Sequence, residues 1–108
     1  MRRYLEPQTY RHRISLMAGQ SGKCGVTGEP LIAHNMHCHH IKPKEVGGTD
    51  EYNNLVWLRA EIHELIHATR TETINRYVTM LNLDKKARKK VNSLRLSAEN
   101  FEIRMTAN

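Results

Sequence analysis

Cysteine is scarce in this chain of 108 residues: Cys24 and Cys38 are the only two, and they form no C-x-x-C pair. A disulfide framework and a four-cysteine zinc site are therefore not expected, and both thiols read as small buried side chains. Large aromatics are few as well, with one tryptophan, four tyrosines and one phenylalanine in a hydrophobic content of 39%. The length suits one domain with a modest core, and so small a core leans on something besides apolar burial, for which a bound metal would serve. No apolar run is long enough to span a bilayer, and no charged-then-apolar leader opens the chain. The expectation is a cytoplasmic protein without a membrane partner.

Acidic residues are also in deficit, 11 against 17 basic ones, for a net charge of +6. The surplus sits at the two ends. Residues 1–23 carry Arg2, Arg3, Arg11, Arg13 and Lys23 against Glu6, and residues 84–108 carry Lys85, Lys86, Arg88, Lys89, Lys90, Arg95 and Arg104 against Asp84, Glu99 and Glu102. Between them, acidic residues outnumber basic ones. Basic flanks around a less charged centre suit a polyanion laid across the molecule, with counterion release supplying much of the affinity. Solvated helix faces are the plainer explanation of the same charges.

Pattern and punctuation place the elements. Pro7 at a first helical turn, apolar residues at Tyr10, Ile14 and Met17, and a stop at Gly22 predict a helix near 7–19. A turn-like "CGVTGEPL" leads to the histidine-rich "HNMHCHHI". From there the alternation predicts a strand near 36–41, a long loop through "PKEVGGTDEYNN", and a second strand at 54–58. Leu58, Ile62, Leu65 and Ile66 then recur at helical spacing through "LRAEIHELIHATR". Two more helices follow near 72–81 and 84–95, the second capped by Asp84.

Six of the seven histidines fall within 34–67. On a hairpin followed by a helix, His39 meets His63 and His67, which lie four apart on one helical face. Three imidazoles of this kind can surround one divalent ion and leave positions open for water or substrate. His40, pointing the other way along the strand, stays free as a general base, a role that suits a neutral imidazole near pH 7. His34 and His37 read as surface or hydrogen-bonded histidines.

The stretch "HCHHIKPKEVGGTDEYNNLVWLRAEIHELIHA" resembles the motif of HNH nucleases. "GQSGKCGVTGEPL" and "INRYVTMLNLDKKARKKVNSLR" narrow the resemblance to the C-terminal endonuclease domain of bacterial group II intron reverse transcriptases. It spans about residues 10–100 and implies an α+β, ββα-metal core flanked by N- and C-terminal helices. The whole chain, 1–108, is then one nuclease domain: a basic N-terminal helix in 1–23, the metal core in 24–70 and a basic helical extension in 71–108. By the same resemblance His39, His63 and His67 are metal ligands, His40 is the base and Asn54 is the motif asparagine. Asn54 can bond backbone groups of the loop and hold His40, with Asn53 left as the turn residue. Many members carry two C-x-x-C pairs for a structural zinc. Here Thr27, Arg59 and Ile62 stand where three of those cysteines would be, so no structural zinc is expected.

The implied activity is hydrolysis of DNA phosphodiesters, one strand nicked by a monomer with one divalent ion. Magnesium or manganese is favoured by the resemblance, and zinc by the imidazole donors. Lys42, Lys44, Arg59 and Arg70 near the motif, and Lys85, Lys86 and Lys89 in the extension, are candidate phosphate contacts. Intron RNA or a reverse-transcriptase portion would be further partners. Two other readings compete. A metal-bound module that holds nucleic acid without cutting it would use the same flanks. "HELIH" at 63–67 also fits the H-E-x-x-H of zinc proteases, with Glu64 as base. A third protease ligand is missing, because Arg70 and Thr73 occupy the places of the extended protease motif, Glu72 is too close, and Glu99 and Glu102 lie in a charged tail.

Overall fold

A computed structural model describes residues 7–104, with side chains from Tyr10 onward. Arg2, Arg3 and Glu6 of the expected N-terminal element, and the end of the expected 71–108 extension, lie outside these residues. Among the described residues there are four α-helices and one hairpin, with two 3-10 turns in the hairpin loop: α1 Pro7–Gly19, β1 Met36–His40, β2 Leu55–Arg59, α2 Ala60–His67, α3 Thr71–Leu81 and α4 Lys85–Ser97. The α+β expectation holds, as a two-stranded antiparallel sheet followed by helices. No helix among the described residues is long and apolar enough to cross a membrane.

Helix α2 is the hub. Ile62, Leu65 and Ile66 recur at the three- and four-residue spacing of one helical face, and all three are fully buried, as are Leu58 and Val91, in a core that also buries Ile74 and Ala87. Each such side chain contributes about 1.5–3 kcal/mol of burial, so one short helix supplies a large share of a small core. The hairpin lies against one side of α2, and α3 and α4 against the others. β2 runs directly into α2, which corrects the helix expected to begin at Leu58. Leu58 and Arg59 keep their ladder partners His37 and Met36, and the chain turns helical only at Ala60.

The flanking helices end for local reasons. Asp84 caps α4 by accepting from the Ala87 N–H at 2.8 Å. Asn82 closes α3 in the left-handed region, φ 46°, which asparagine tolerates better than most residues. Helix α1 forms where proline and periodicity place it, yet Tyr10 and Ile14 face solvent and Leu16 is the buried residue. The helix attaches to the hairpin through polar bonds. Trp57 Nε1 donates to the Arg13 carbonyl at 2.9 Å, and the Gln20 side chain pairs with the Trp57 backbone, accepting from its N–H at 2.8 Å.

Candidate metal centre and the loop beside it

Strand alternation separates two neighbouring histidines. His39 turns inward and is 2% exposed, whereas His40 is only half-buried. Across from His39, His63 and His67 stand one turn apart on α2. One ring nitrogen from each of the three comes within 4.8 Å of the other two, the only such group of three found among the described residues. The ring centroids are 5.3 Å (His39–His63), 5.2 Å (His39–His67) and 4.7 Å (His63–His67) apart. His37 stacks on the outer side of His63 at 4.8 Å.

Desolvation lowers the proton affinity of all three rings, although only His39 is buried and His67 is the exposed member. Desolvation, aided by the other imidazoles, lowers the pKa of His39 to about 3 and that of His63 to about 4. Desolvation lowers that of His67 too, partly opposed by Glu64 and Glu45. Neutral rings present lone pairs, which a metal ligand requires. His39 Nε2 is moreover buried without any hydrogen-bond partner. A buried polar atom left unbonded normally costs about 1–3 kcal/mol, and here it belongs to the group whose nitrogens converge. The three residues fit a divalent ion.

His40 lines the same cavity, of about 370 Å³, together with Lys44 and Glu45. Its ring is anchored to the loop, with Nε2 2.7 Å from Asp50 Oδ1. Asp50 Oδ2 accepts from Lys44 Nζ at 3.0 Å. Hydrogen bonds from His40 and Lys44 hold the Asp50 carboxyl below its ordinary pKa. Asn54 ties the two ends of this loop together, accepting from the Lys42 N–H at 2.9 Å and donating to the Lys42 and Thr49 carbonyls at 3.1 and 2.7 Å. Gly47 and Gly48 make the reversal possible. Gly47 takes φ 100°, and a Cβ on Gly48 would run into the Lys42 and Pro43 carbonyls.

The C-terminal end of α2 is held from thirty residues away. Arg95, counted in the sequence among the basic flank, is 0% exposed. Its Nη1 donates to the carbonyls of Leu65, Ile66 and Ala68, and Nε donates to that of Phe101 at 2.7 Å. Asn100 adds bonds to the Ile66 and Ala68 carbonyls at 3.0 and 3.1 Å. A cation at the negative end of a helix is favourably placed, and these carbonyls would otherwise lack partners. The helix stops at His67 because its last carbonyls are already taken, short of the expected end at Arg70.

The remaining expected residues are scattered around this centre. Lys42, Arg70, Lys85, Lys86 and Lys89 are exposed. Arg59 is engaged: it lies 2.7 Å from Glu29 and 3.1 Å from Glu61. Of the positions where cysteines were sought, Ile62 is in the core, Arg59 bridges those carboxylates and Thr27 is half-buried. Glu64 is exposed and does not line the histidine cavity. Asp50, Arg95 and Asn100 were not singled out from sequence.

Hairpin, helix and three convergent imidazoles now have a counterpart among known families. Residues 22–67 match the HNH endonuclease family model. No curated protein and no solved structure matches the chain. The HNH segment contains the hairpin, its loop and all of α2, so it includes the histidine cluster, His40, Asp50 and Asn54. An HNH domain with such a cluster points to a nuclease-like, metal-binding function. Helices α3 and α4, with Arg95 and Asn100, lie beyond the matched residues.

Proposed function

We propose that this protein is a metal-dependent endonuclease that hydrolyses DNA phosphodiester bonds and nicks one strand per encounter, as in the intron-encoded endonuclease domains it resembles. The observation that carries the reading is that His40 lines the same cavity as the three convergent imidazoles. His39, His63 and His67 would hold one divalent ion, which when bound supplies positive charge to the phosphate and the leaving 3′ oxygen. His40 takes the proton of the attacking water at Nδ1, since Nε2 is committed to Asp50. Asn54 keeps the loop closed beside it. Lys42, Lys85, Lys86 and Lys89 contact flanking phosphates, while Lys44, Arg59 and Arg70, already paired with carboxylates, contribute less. The chain acts as one domain over 1–108 and as a monomer in the cytoplasm, with intron RNA or a reverse-transcriptase portion as further partners.

Supercoiled plasmid incubated with magnesium or manganese tests this. Open circles should form well before linear product, and chelator should stop the reaction. Metal-replete protein that binds DNA and leaves the plasmid intact would return the chain to the non-cutting alternative. Linear product appearing from the earliest times would indicate a paired-site dimer.

A further inference from the structure

We infer that Asp50 is a positioning residue, whose carboxylate fixes the orientation and tautomer of the His40 ring so that Nδ1 is its proton-accepting atom. The inference rests on the reading of His40 as the base. Imidazole can turn its two nitrogens into either of two rough orientations, because rotation about the bond to the ring is soft and nearly two-fold. A ring without a partner would share its lone pair between Nδ1 and Nε2. A carboxylate oxygen 2.7 Å from Nε2 removes that freedom, because an ionised carboxylate only accepts: Nε2 must carry the hydrogen and Nδ1 the lone pair.

Asp50 is itself held firmly enough to act as a reference point. Its second oxygen takes Lys44 Nζ at 3.0 Å, so the two oxygens have two donors and the carboxylate cannot swing without breaking one bond. Its backbone carbonyl accepts from His12 Nδ1 on α1 at 2.9 Å. The preceding carbonyl, of Thr49, accepts from Asn54 Nδ2 at 2.7 Å. Side chain and backbone are thus fixed from three directions: the loop itself, the motif asparagine and the N-terminal helix. An aspartate carboxyl is ionised at neutral pH at its ordinary pKa, and the bonds from His40 and Lys44 lower that pKa further. Helix α1, which precedes the HNH segment, thereby reaches the residue beside the base.

Asp50→Asn tests the inference, since the amide keeps the size of the carboxylate and can either accept from or donate to Nε2. The ring nitrogens of ¹⁵N-histidine-labelled protein, with and without magnesium, report the tautomer at mildly alkaline pH. The parent should show His40 as the Nε2–H form, and Asp50→Asn should show a mixture. Nicking at saturating DNA should fall roughly 10–100-fold in Asp50→Asn, with KM for DNA and bound metal unchanged, and Asp50→Glu should recover part of the loss. An Nδ1–H tautomer in the parent overturns the inference whether or not the variant folds. So does Asp50→Asn nicking at the parental rate while His40→Ala is inactive, or a loss in Asp50→Asn that tracks a loss of bound metal. If His40→Ala also nicks at the parental rate, the base assignment fails first and the inference falls with it.

Discussion

The two halves of the site are built by opposite means. Helix α2 carries His63 and His67 on a segment whose other face is fully buried, so their positions follow from apolar packing and from the clasp of Arg95 and Asn100 on its last turn. The loop between the strands buries no side chain in either of its 3-10 turns, Lys44–Val46 and Tyr52–Asn54, and is shaped by hydrogen bonds through Asn54, Asp50 and Lys44. Burial also lowers the pKa of the cluster's imidazoles, while hydrogen bonds lower that of the Asp50 carboxyl in the loop. The contrast teaches that ligand geometry should be coupled to global stability, and that the chemistry of His40 should depend on local polar contacts that can be altered while the fold persists.

Substitutions can break that division. The largest effect is expected for His40→Ala: plasmid nicking should fall by about 10²–10⁴-fold, with calorimetric metal binding and the melting temperature retained. Loss of bound metal in this variant would place His40 with the ligands. Next, His63→Ala or His67→Ala should weaken metal binding and activity together, and should erase the stabilisation that metal gives the parent, about 2.7 kcal/mol at a hundredfold excess over Kd and read as a rise in Tm. Equal melting temperatures for the parent with and without chelator would uncouple ligand geometry from stability.

Arg95→Met should cost about 2–3 kcal/mol in urea unfolding, because carbonyls at the end of α2 lose their donor, and it should also weaken metal binding through His67. Unchanged stability would mean that water replaces the guanidinium without penalty. The acid response of chelated protein is graded. His39 and His63 have folded pKa values of about 3 and 4, below the 6.5 of an unfolded histidine, so the unfolded chain binds more protons between those limits. Stability should therefore be full above about pH 6.5 and decline as pH falls towards 3, by up to about 1.4 kcal/mol per pH unit for buried His39. Urea midpoints across that range, if flat, would show that the cluster is not buried when metal-free.

Glu64→Gln should change least. Its carboxylate is exposed and outside the cavity, so nicking should stay close to the parental rate, whereas a zinc protease would lose nearly all activity with this substitution. A metal-replete Glu64→Gln protein unable to nick would transfer the base role from loop to helix.

What could be read in the sequence followed the same division. His39, His63 and His67 obey regular periods, two along a strand and four along a helix, and regular periods project directly into space. Asp50 obeys none. It sits ten residues from His40 in a loop whose path is set by Gly47, Gly48 and Asn54 together, so no spacing rule brings the carboxylate to the ring. Arg95 did carry a signal that its charge concealed. Ala87 and Val91 are buried on α4, and Arg95 continues their four-residue step, which puts an arginine on the apolar stripe. In α1 the period was right and the face was not, because Arg13 and Gln20 attach it to the hairpin through polar bonds while Tyr10 and Ile14 point outward.

The guanidinium at the end of α2 also sets the limits of modular exchange. A chimera carrying only residues 22–67 into another host would include every histidine of the site. It would leave behind Arg95, Asn100 and the buried Ile74, Ala87 and Val91. The transferred helix would have exposed isoleucines and open carbonyls at the turn that bears His67. Recombination breakpoints that preserve the site therefore fall after Asn100, and the smallest graft expected to keep its metal runs through α3 and α4.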